Sequence, residues 1–407
     1  MTLNHLNILE RNNTIYKVIY IDRIADRSPN AASSIKDGDN YFTIGWGAGS
    51  ARKFKEFNPD IKVECWKTDY KARQIYEREI SGVKFKIFPA FHIKFFGDYS
   101  GLLLKHLKKE LQKKEPTIIH ISSFRHLLFY CLALRLKNNP LVLQNNGEST
   151  AIYKVKISTG LKKLFYILQK PLERKAFKNI DLLYILDERL KEYLPQTRAK
   201  IKKQSLGVIT ERFIPLSKKE ARQLLNLDPD KKYLLYVGYL NYTKRPDILI
   251  DIFKDIRKER NDLELLIVGT KNNDPLVNYA KDAGAKVYGK IMHTDIYKYL
   301  SAADVYILPK YSIEHIFGGI GLLPVEALLC NTPIIGESLE NFPEEDRESV
   351  GLAVSNKEEM KNAIIKIIDN KITFNNLREI AIEHYSWEII SKNTAKDYDE
   401  LIKKYYK

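Results

Sequence analysis

Short apolar runs rich in β-branched residues alternate along the chain with longer segments of helical period. In the first half the runs are Lys17–Asp22 (KVIYID), Lys62–Trp66 (KVECW), Val83–Phe88 (VKFKIF), Thr117–Ser122 (TIIHIS), Leu141–Gln144 and Leu182–Leu186. In the second half they are Tyr233–Tyr239 (YLLYVGY), Leu263–Val268 (LELLIV), Val305–Leu308 and Pro333–Ile335. Runs apolar along their whole length predict parallel sheets covered on both faces. The series occurs twice at similar length, so the expected fold is α/β, with two doubly wound Rossmann-like domains rather than one barrel. The stretch Ser205–Pro215 (SLGVITERFIP) combines a Gly-containing turn with a Pro and precedes a charged helical segment, Ser217–Leu227. It places the boundary near residue 212. The expected units are 1–212, 213–385 and a closing amphipathic helix over 386–407, anchored by Trp387, Ile390 and Tyr398.

Composition narrows the class. A chain of 407 residues, 44% hydrophobic and 29% charged, is long enough for two cores and is not disordered overall. Three scattered cysteines (Cys65, Cys131, Cys330) form no disulfide framework, and no Cys/His cluster has metal-ligand spacing. The longest strongly apolar run, Leu127–Leu134, is far short of the ~20 residues of a membrane span and predicts a buried helix instead. MTLNHLNILERNN has no basic region followed by an apolar core, so a cytoplasmic protein is expected. The net charge of +16 suits phosphorylated small molecules, anionic lipid or nucleic acid. It also suits a plain Lys/Ile-rich compositional bias. No nucleic-acid-binding signature is present, and no nucleic-acid partner is expected. Ala151–Lys178 concentrates lysines around Phe165, Tyr166, Ile167 and Leu172. Such a segment either lies on an anionic membrane, giving a peripheral position at the inner membrane face, or is a core-facing helix with a solvated lysine side.

Two segments carry candidate chemistry. In Ala303–Gly336 a buried strand leads through a loop to Gly318-Gly319-Ile320-Gly321, and a helix starts near Leu322 with Pro324 in its first turn. Free N–H groups and the helix dipole make such a start an anion site. Glu326, one turn in, is placed to accept from ribose hydroxyls. The competing reading is a tight turn and a solvated glutamate. In Tyr236–Asp247 (YVGYLNYTKRPD) a strand ends in Gly238, and a loop with Lys244 and Arg245 leads into a helix at Pro246. Both loops leave the C-terminal ends of strands and can face one crevice. The competing reading for Lys244 and Arg245 is a solvated loop.

In order along the chain, SLGVITERFIP, YVGYLNYTKRPDILIDIF, LELLIVG, VYGKI (Val287–Ile291), LSAADVYILP, GGIGLLPVEALLCNTPIIG and HYSWEII (His384–Ile390) resemble the motif set of the retaining glycosyltransferase family 4, of GT-B architecture. The resemblance covers about residues 205–400. It implies a metal-independent sugar transferase without a cofactor beyond its nucleotide-sugar donor, acting on a saccharide or lipid-linked acceptor. Lys244 would neutralise the donor diphosphate. Gly238, Tyr239 and Arg245 would sit in the same loop. Gly321 and Leu322 would offer N–H groups, with Gly319 and Ile320 beside them. Glu326 would bind the ribose, and Lys290 and Ile291 would flank the base through their backbone.

The departures from the family pattern fall on the sugar and on one cation. An Arg of the family is Tyr239 here, and the first Glu of the family's Glu-x7-Glu is Gly318. Glu314 and, from the first domain, Asn146 (in LQNNGES, where the family has His) are the candidates for the catalytic sugar contacts. These departures also admit an alternative: a catalytically degenerate nucleotide-binding module partnering an active transferase. The family's Gly-Gly loop after the first strand has only Gly38 to answer it in RIADRSPNAASSIKDGDNYF, and Asp22, Arg23 and Ser33 are read as acceptor-side surface positions. His120 is read as structural.

Overall fold

The computed structural model describes residues 15–23, 38–93, 96–124, 126–309 and 317–406. Ser33 and Glu314 lie outside these ranges. Strands β1 (Lys17–Arg23), β2 (Lys62–Asp69), β3 (Tyr76–Ile80) and β4 (Val83–Pro89) precede a small hairpin, β5 (Phe91–Ile93) and β6 (Gly97–Tyr99). Then come β7 (Thr117–Ser122), β8 (Leu141–Gln144), β9 (Leu182–Ile185) and β10 (Lys200–Lys203). They form a sheet in the order β10-β9-β8-β7-β1-β2-β4-β3, with the hairpin separate. The second sheet is built from β11 (Lys232–Val237), β12 (Leu263–Val268), β13 (Lys286–Val287), β14 (Val305–Leu308), β15 (Ile334–Gly336) and β16 (Gly351–Leu352). Its order is β13-β12-β11-β14-β15-β16, and every pairing in it is parallel.

The central strands are those the apolar runs predict. β7, β8, β9 and β12 are buried at every position. One face of the first sheet packs on helix Trp46–Phe57 and the C-terminal helix Trp387–Tyr405 through Tyr20, Phe54, Tyr398 and Leu401. Its other face packs on helices Gly101–Leu111, Leu127–Arg135 and Gly160–Phe177. The second sheet is covered on one face by helix Leu322–Leu329 and on the other by helix Pro246–Arg257.

The periphery corrects the all-parallel expectation. β3 pairs antiparallel with β4 through the Ser81-Gly82 turn, where both residues have positive φ (51° and 72°). Its sequence, YEREI, has no apolar run because it is an exposed edge, and charge there resists pairing with another chain. β10, KIKK, is the opposite edge and is guarded in the same way.

Helix Trp387–Tyr405 starts at Ser386, whose hydroxyl caps Ile389 N–H, and lies across the first sheet. Tyr398 hydrogen-bonds His120 and Tyr20, and Asp397 accepts from Tyr184 at 2.8 Å and pairs with Lys202. His120 stacks on Tyr20 at 4.7 Å, and burial pushes its pKa down to about 3, so it is a neutral core residue. The helix entry is fixed at Gly207. A Cβ there would lie 2.3 Å from the Trp387 ring. Gly207→Ala is expected to destabilise the protein by about 1–3 kcal/mol, as overpacking does, read as a lower urea midpoint; an unchanged midpoint would mean that Trp387 has room to move.

Candidate active site

In the second sheet the chain winds one way from β11 and the other way from β14. These two strands are neighbours, with Leu234 opposite Val305. A crevice opens at such a reversal, outside the C-terminal strand ends. The loop after β11 carries Gly238, Tyr239, Lys244 and Arg245, and the chain returning from β14 carries Gly318–Gly321 into helix Leu322–Leu329. From the first domain, the loop after β8 presents Asn146 and Gly147. A Cβ on Gly147 would sit 3.5 Å from Gly318 Cα, so the two domains touch at the glycine loop. Gly319 has φ 63°, and a Cβ there would lie 2.6 Å from the Leu186 carbonyl oxygen of the first domain. Only glycine fits that approach.

The cations of the β11 loop divide into one held and one open. Arg245 is the left-handed cap of helix Pro246–Arg257 (φ 51°), and its guanidinium forks onto Asp247 with bonds of 2.8–3.1 Å. Lys244 is half-buried and makes no ion pair with any described residue, and burial pushes its pKa down. A partly desolvated ammonium without a counter-charge favours an anion. Tyr239 is exposed, and Lys271 Nζ stands 4.4 Å from its ring centroid. Lys271 follows β12, whose C-terminal end lies between the β11 loop and the Tyr288–Lys290 segment after β13. Asp274 ties these loops by accepting from Leu240 N–H and Lys271 N–H, both at 2.9 Å.

Helix Leu322–Leu329 begins at Gly321 (φ 78°) with no side-chain cap, which leaves its first N–H groups open to a ligand. Ile320 is buried in the second core, and Leu322 packs against it. Glu326 is buried rather than solvated, and its carboxylate meets His293 Nε2 at 3.1 Å. His293 packs edge-on against Phe213 at 5.5 Å. Lys290 is exposed and Ile291 lies partly buried on the second core. Gly289 and Tyr288 accept from Gly269 and Thr270 N–H, which fixes that segment beside β12.

On the first-domain side, Asn145 is fully buried, and its Oδ1 accepts Gly147 N–H at 3.0 Å. That turn holds Asn146 in the cleft with its Oδ1 buried and without a hydrogen-bond partner among the described residues. Glu148 is bonded by the Ser123 hydroxyl. Asp22 is not a surface residue. It is buried, and its carboxylate caps helix Trp46–Phe57 by accepting from Ala48 N–H at 3.3 Å. Gly45 and Gly47 make room for it, since a Cβ on either would approach Asp22 to 2.8 Å. These glycines, at the start of helix Trp46–Phe57, are the ones that lie against the first strand's end.

Residues 217–384 match the family described as "Glycosyl transferases group 1". Within that segment the chain is similar to the group 1 glycosyl transferases. The chain is also similar to named relatives. D-inositol 3-phosphate glycosyltransferase 2 of Catenulispora acidiphila is 25% identical over 216 residues, 48% of this chain and 49% of its own. A GDP-mannose-dependent monoacylated alpha-(1-6)-phosphatidylinositol monomannoside mannosyltransferase of Corynebacterium glutamicum is 26% identical over 204 residues, 46% and 52% of the two chains. The chain thus spans about half the length of these relatives. Over nearly the whole chain the fold is GT-B. Sucrose-phosphate synthase of Thermosynechococcus elongatus superposes with a TM-score of 0.67 over 96% of this chain and 100% of its own, at 18% identity. A glycosyltransferase of Rickettsia africae does so at 0.64, over 96% and 99%, at 14% identity.

His293 is the site residue that the sequence reading lacks. Its bond to Glu326 raises its pKa above the ordinary 6.5. The pair's contribution to stability is therefore complete below pH 6.5 and is lost as pH rises through the raised value. His293→Ala should lower the melting temperature more at pH 6 than at pH 9. An equal loss at both pH values would mean that the pair is not ionic.

Proposed function

We propose that this protein transfers a sugar from a nucleoside-diphosphate sugar to a hydroxyl of a glycan or lipid-linked saccharide, with retention of configuration, at the cytoplasmic face of a membrane. The observation that carries this reading is Lys244, a half-buried ammonium with no described counter-ion at the crevice where the second sheet reverses. The uncapped start of helix Leu322–Leu329 opens on the same crevice and adds N–H groups from Gly321 and Leu322. The GDP-mannose dependence in one relative's name agrees with a nucleotide-sugar donor. No observation favours a degenerate binding module.

In this reading the bond from the anomeric carbon to the β-phosphate oxygen breaks, and the acceptor oxygen bonds to that carbon from the same face. The acceptor proton passes to the departing phosphate, and a nucleoside diphosphate leaves. Negative charge grows on the diphosphate as the bond breaks, so fixed cations and N–H dipoles lower the barrier. Lys244 is the first cation. Lys271, held on the Tyr239 ring, is the second and stands in for the Arg that Tyr239 replaces. Glu326 accepts from the ribose, with His293 orienting its carboxylate. The backbone of Lys290 and Ile291 borders the base. Asn146 supplies its open Oδ1 to a hydroxyl of the transferred sugar.

Titration with UDP, GDP and ADP identifies the base and tests the cations together. Lys244→Ala should weaken the preferred nucleoside diphosphate about 10–100-fold, the equivalent of a charge-assisted bond of ~1.5–3 kcal/mol. Lys271→Ala should weaken the diphosphate more than the matching monophosphate, and Lys271→Arg should restore it. Wild-type affinity in Lys244→Ala would remove the diphosphate from this crevice.

Asn146→Ala should separate binding from transfer. Nucleoside diphosphate affinity stays at the wild-type value while kcat falls about tenfold, or ~1.4 kcal/mol in the barrier. A full kcat with a sugar-bearing donor would take Asn146 out of the sugar subsite.

A further inference from the structure

The helix layer over one face of the first sheet presents a single sign of charge. Helices Gly101–Leu111, Leu127–Arg135 and Gly160–Phe177 carry nine Lys and Arg against two glutamates. Neither glutamate offsets the surface. Glu110 is paired with Lys17 at 2.5 Å and Lys113 at 2.7 Å, and Glu173 is fully buried, accepting Ala151 N–H at 2.9 Å.

Apolar side chains stand out among these cations. In helix Gly160–Phe177, Leu161 is 86% and Leu168 71% exposed, and Leu164 and Ile167 are about half exposed. Positions 161, 164 and 168 share one face of the helix. On its core side the same helix buries the polar Gln169 and Glu173 beside Ala176 and Phe177, while these leucines face outward, where an ordinary surface helix is polar. Phe165 meets Phe96 edge-on at 5.1 Å, which brings the β5–β6 hairpin alongside, and there Phe91 is 75% exposed. Between helices Gly101–Leu111 and Leu127–Arg135 a groove of about 760 Å³ is lined by Leu104, Leu111 and Leu136 together with Lys105, Lys108 and Arg135.

We infer that this face, centred on helix Gly160–Phe177, seats the protein on an anionic lipid surface. Leu161, Leu164 and Leu168 enter the headgroup–acyl boundary, and Lys162 and Lys163 stay at the depth of the lipid phosphates. Charge alone would suit a nucleic acid equally well. Leucines exposed to this degree at the centre of the basic face do not, because a phosphate backbone offers them nothing to bury against. The inference rests on the proposed function only for its consequence: the segment leading into this helix follows directly on the Asn146 loop, so a lipid-linked acceptor would reach the cleft from the surface on which the protein sits.

Co-sedimentation of the full chain with vesicles tests it. Phosphatidylglycerol–phosphatidylcholine vesicles should retain the protein, pure phosphatidylcholine vesicles should not, and raised salt should release it. Lys162→Ala with Lys163→Ala should weaken vesicle affinity about fivefold per lysine removed. Leu161→Asp with Leu168→Asp should weaken it at least as much at unchanged net lysine content. Nucleoside diphosphate affinity of both variants should equal that of the wild type, so loss of the surface is distinguishable from loss of the donor site. No retention on anionic vesicles, equal retention on neutral ones, or wild-type retention of both variants would overturn the inference. So would release from the vesicles by an RNA homopolymer at matching phosphate concentration.

Discussion

The C-terminal helix, Trp387–Tyr405, belongs to the second domain by chain order and to the first by packing. Its Tyr398 completes a stack of rings with Tyr20 and His120 that fills one face of the first sheet. Its Asp397 meets Lys202 and Tyr184 on strands at that sheet's edge. Without it part of the first sheet's apolar face would be exposed, so the first core closes only when this helix has docked. Because Trp387 also rests on Gly207 in the crossing segment, and Val208 bridges to Ser386, the two crossings between domains are locked side by side. The placement of the cleft follows from this constraint.

Within the cleft, charge and backbone approach act together. The glycine loop brings the domains within van der Waals contact, a distance that a side chain at 319 would prevent. Lys244 is partly withdrawn from water, and Asn146 Oδ1 is buried in the cleft without a partner among the described residues. Each would be an expensive arrangement in an empty site, since a buried polar atom without a partner costs roughly 1–3 kcal/mol. The proposed nucleoside-diphosphate sugar, a polyanion that carries hydroxyls, would resolve both.

The parts that could be read from the chain are those with local causes. Central parallel strands announce themselves because burial on both faces demands unbroken apolar runs, as in TIIHIS and LELLIV. β3 and β10 were illegible for the opposite reason, since edge strands carry charge in place of apolar pattern. The glycine loop and Lys244 were visible through spacing between strand and helix. The His293–Glu326 pair and the Lys271–Tyr239 contact were not, because each joins residues about thirty positions apart through the fold alone. Arg245 reads as a phosphate ligand in sequence, and only its geometry shows that Asp247 holds it. Asp22 misled as a surface residue because the glycines that receive it, Gly45 and Gly47, lie more than twenty positions away.

Phe317 gives the cleft a mechanical property. It immediately precedes the glycine loop of the second domain, yet it is fully buried among first-domain residues, with Tyr153 at 4.9 Å and Tyr193 at 5.8 Å. Parting the domains therefore means extracting this ring from its aromatic socket, at about 2–3 kcal/mol for the exposed surface. That cost is concentrated in one contact. Opening the cleft and freeing the glycine loop from the first domain would therefore be a single event, because both break this same contact.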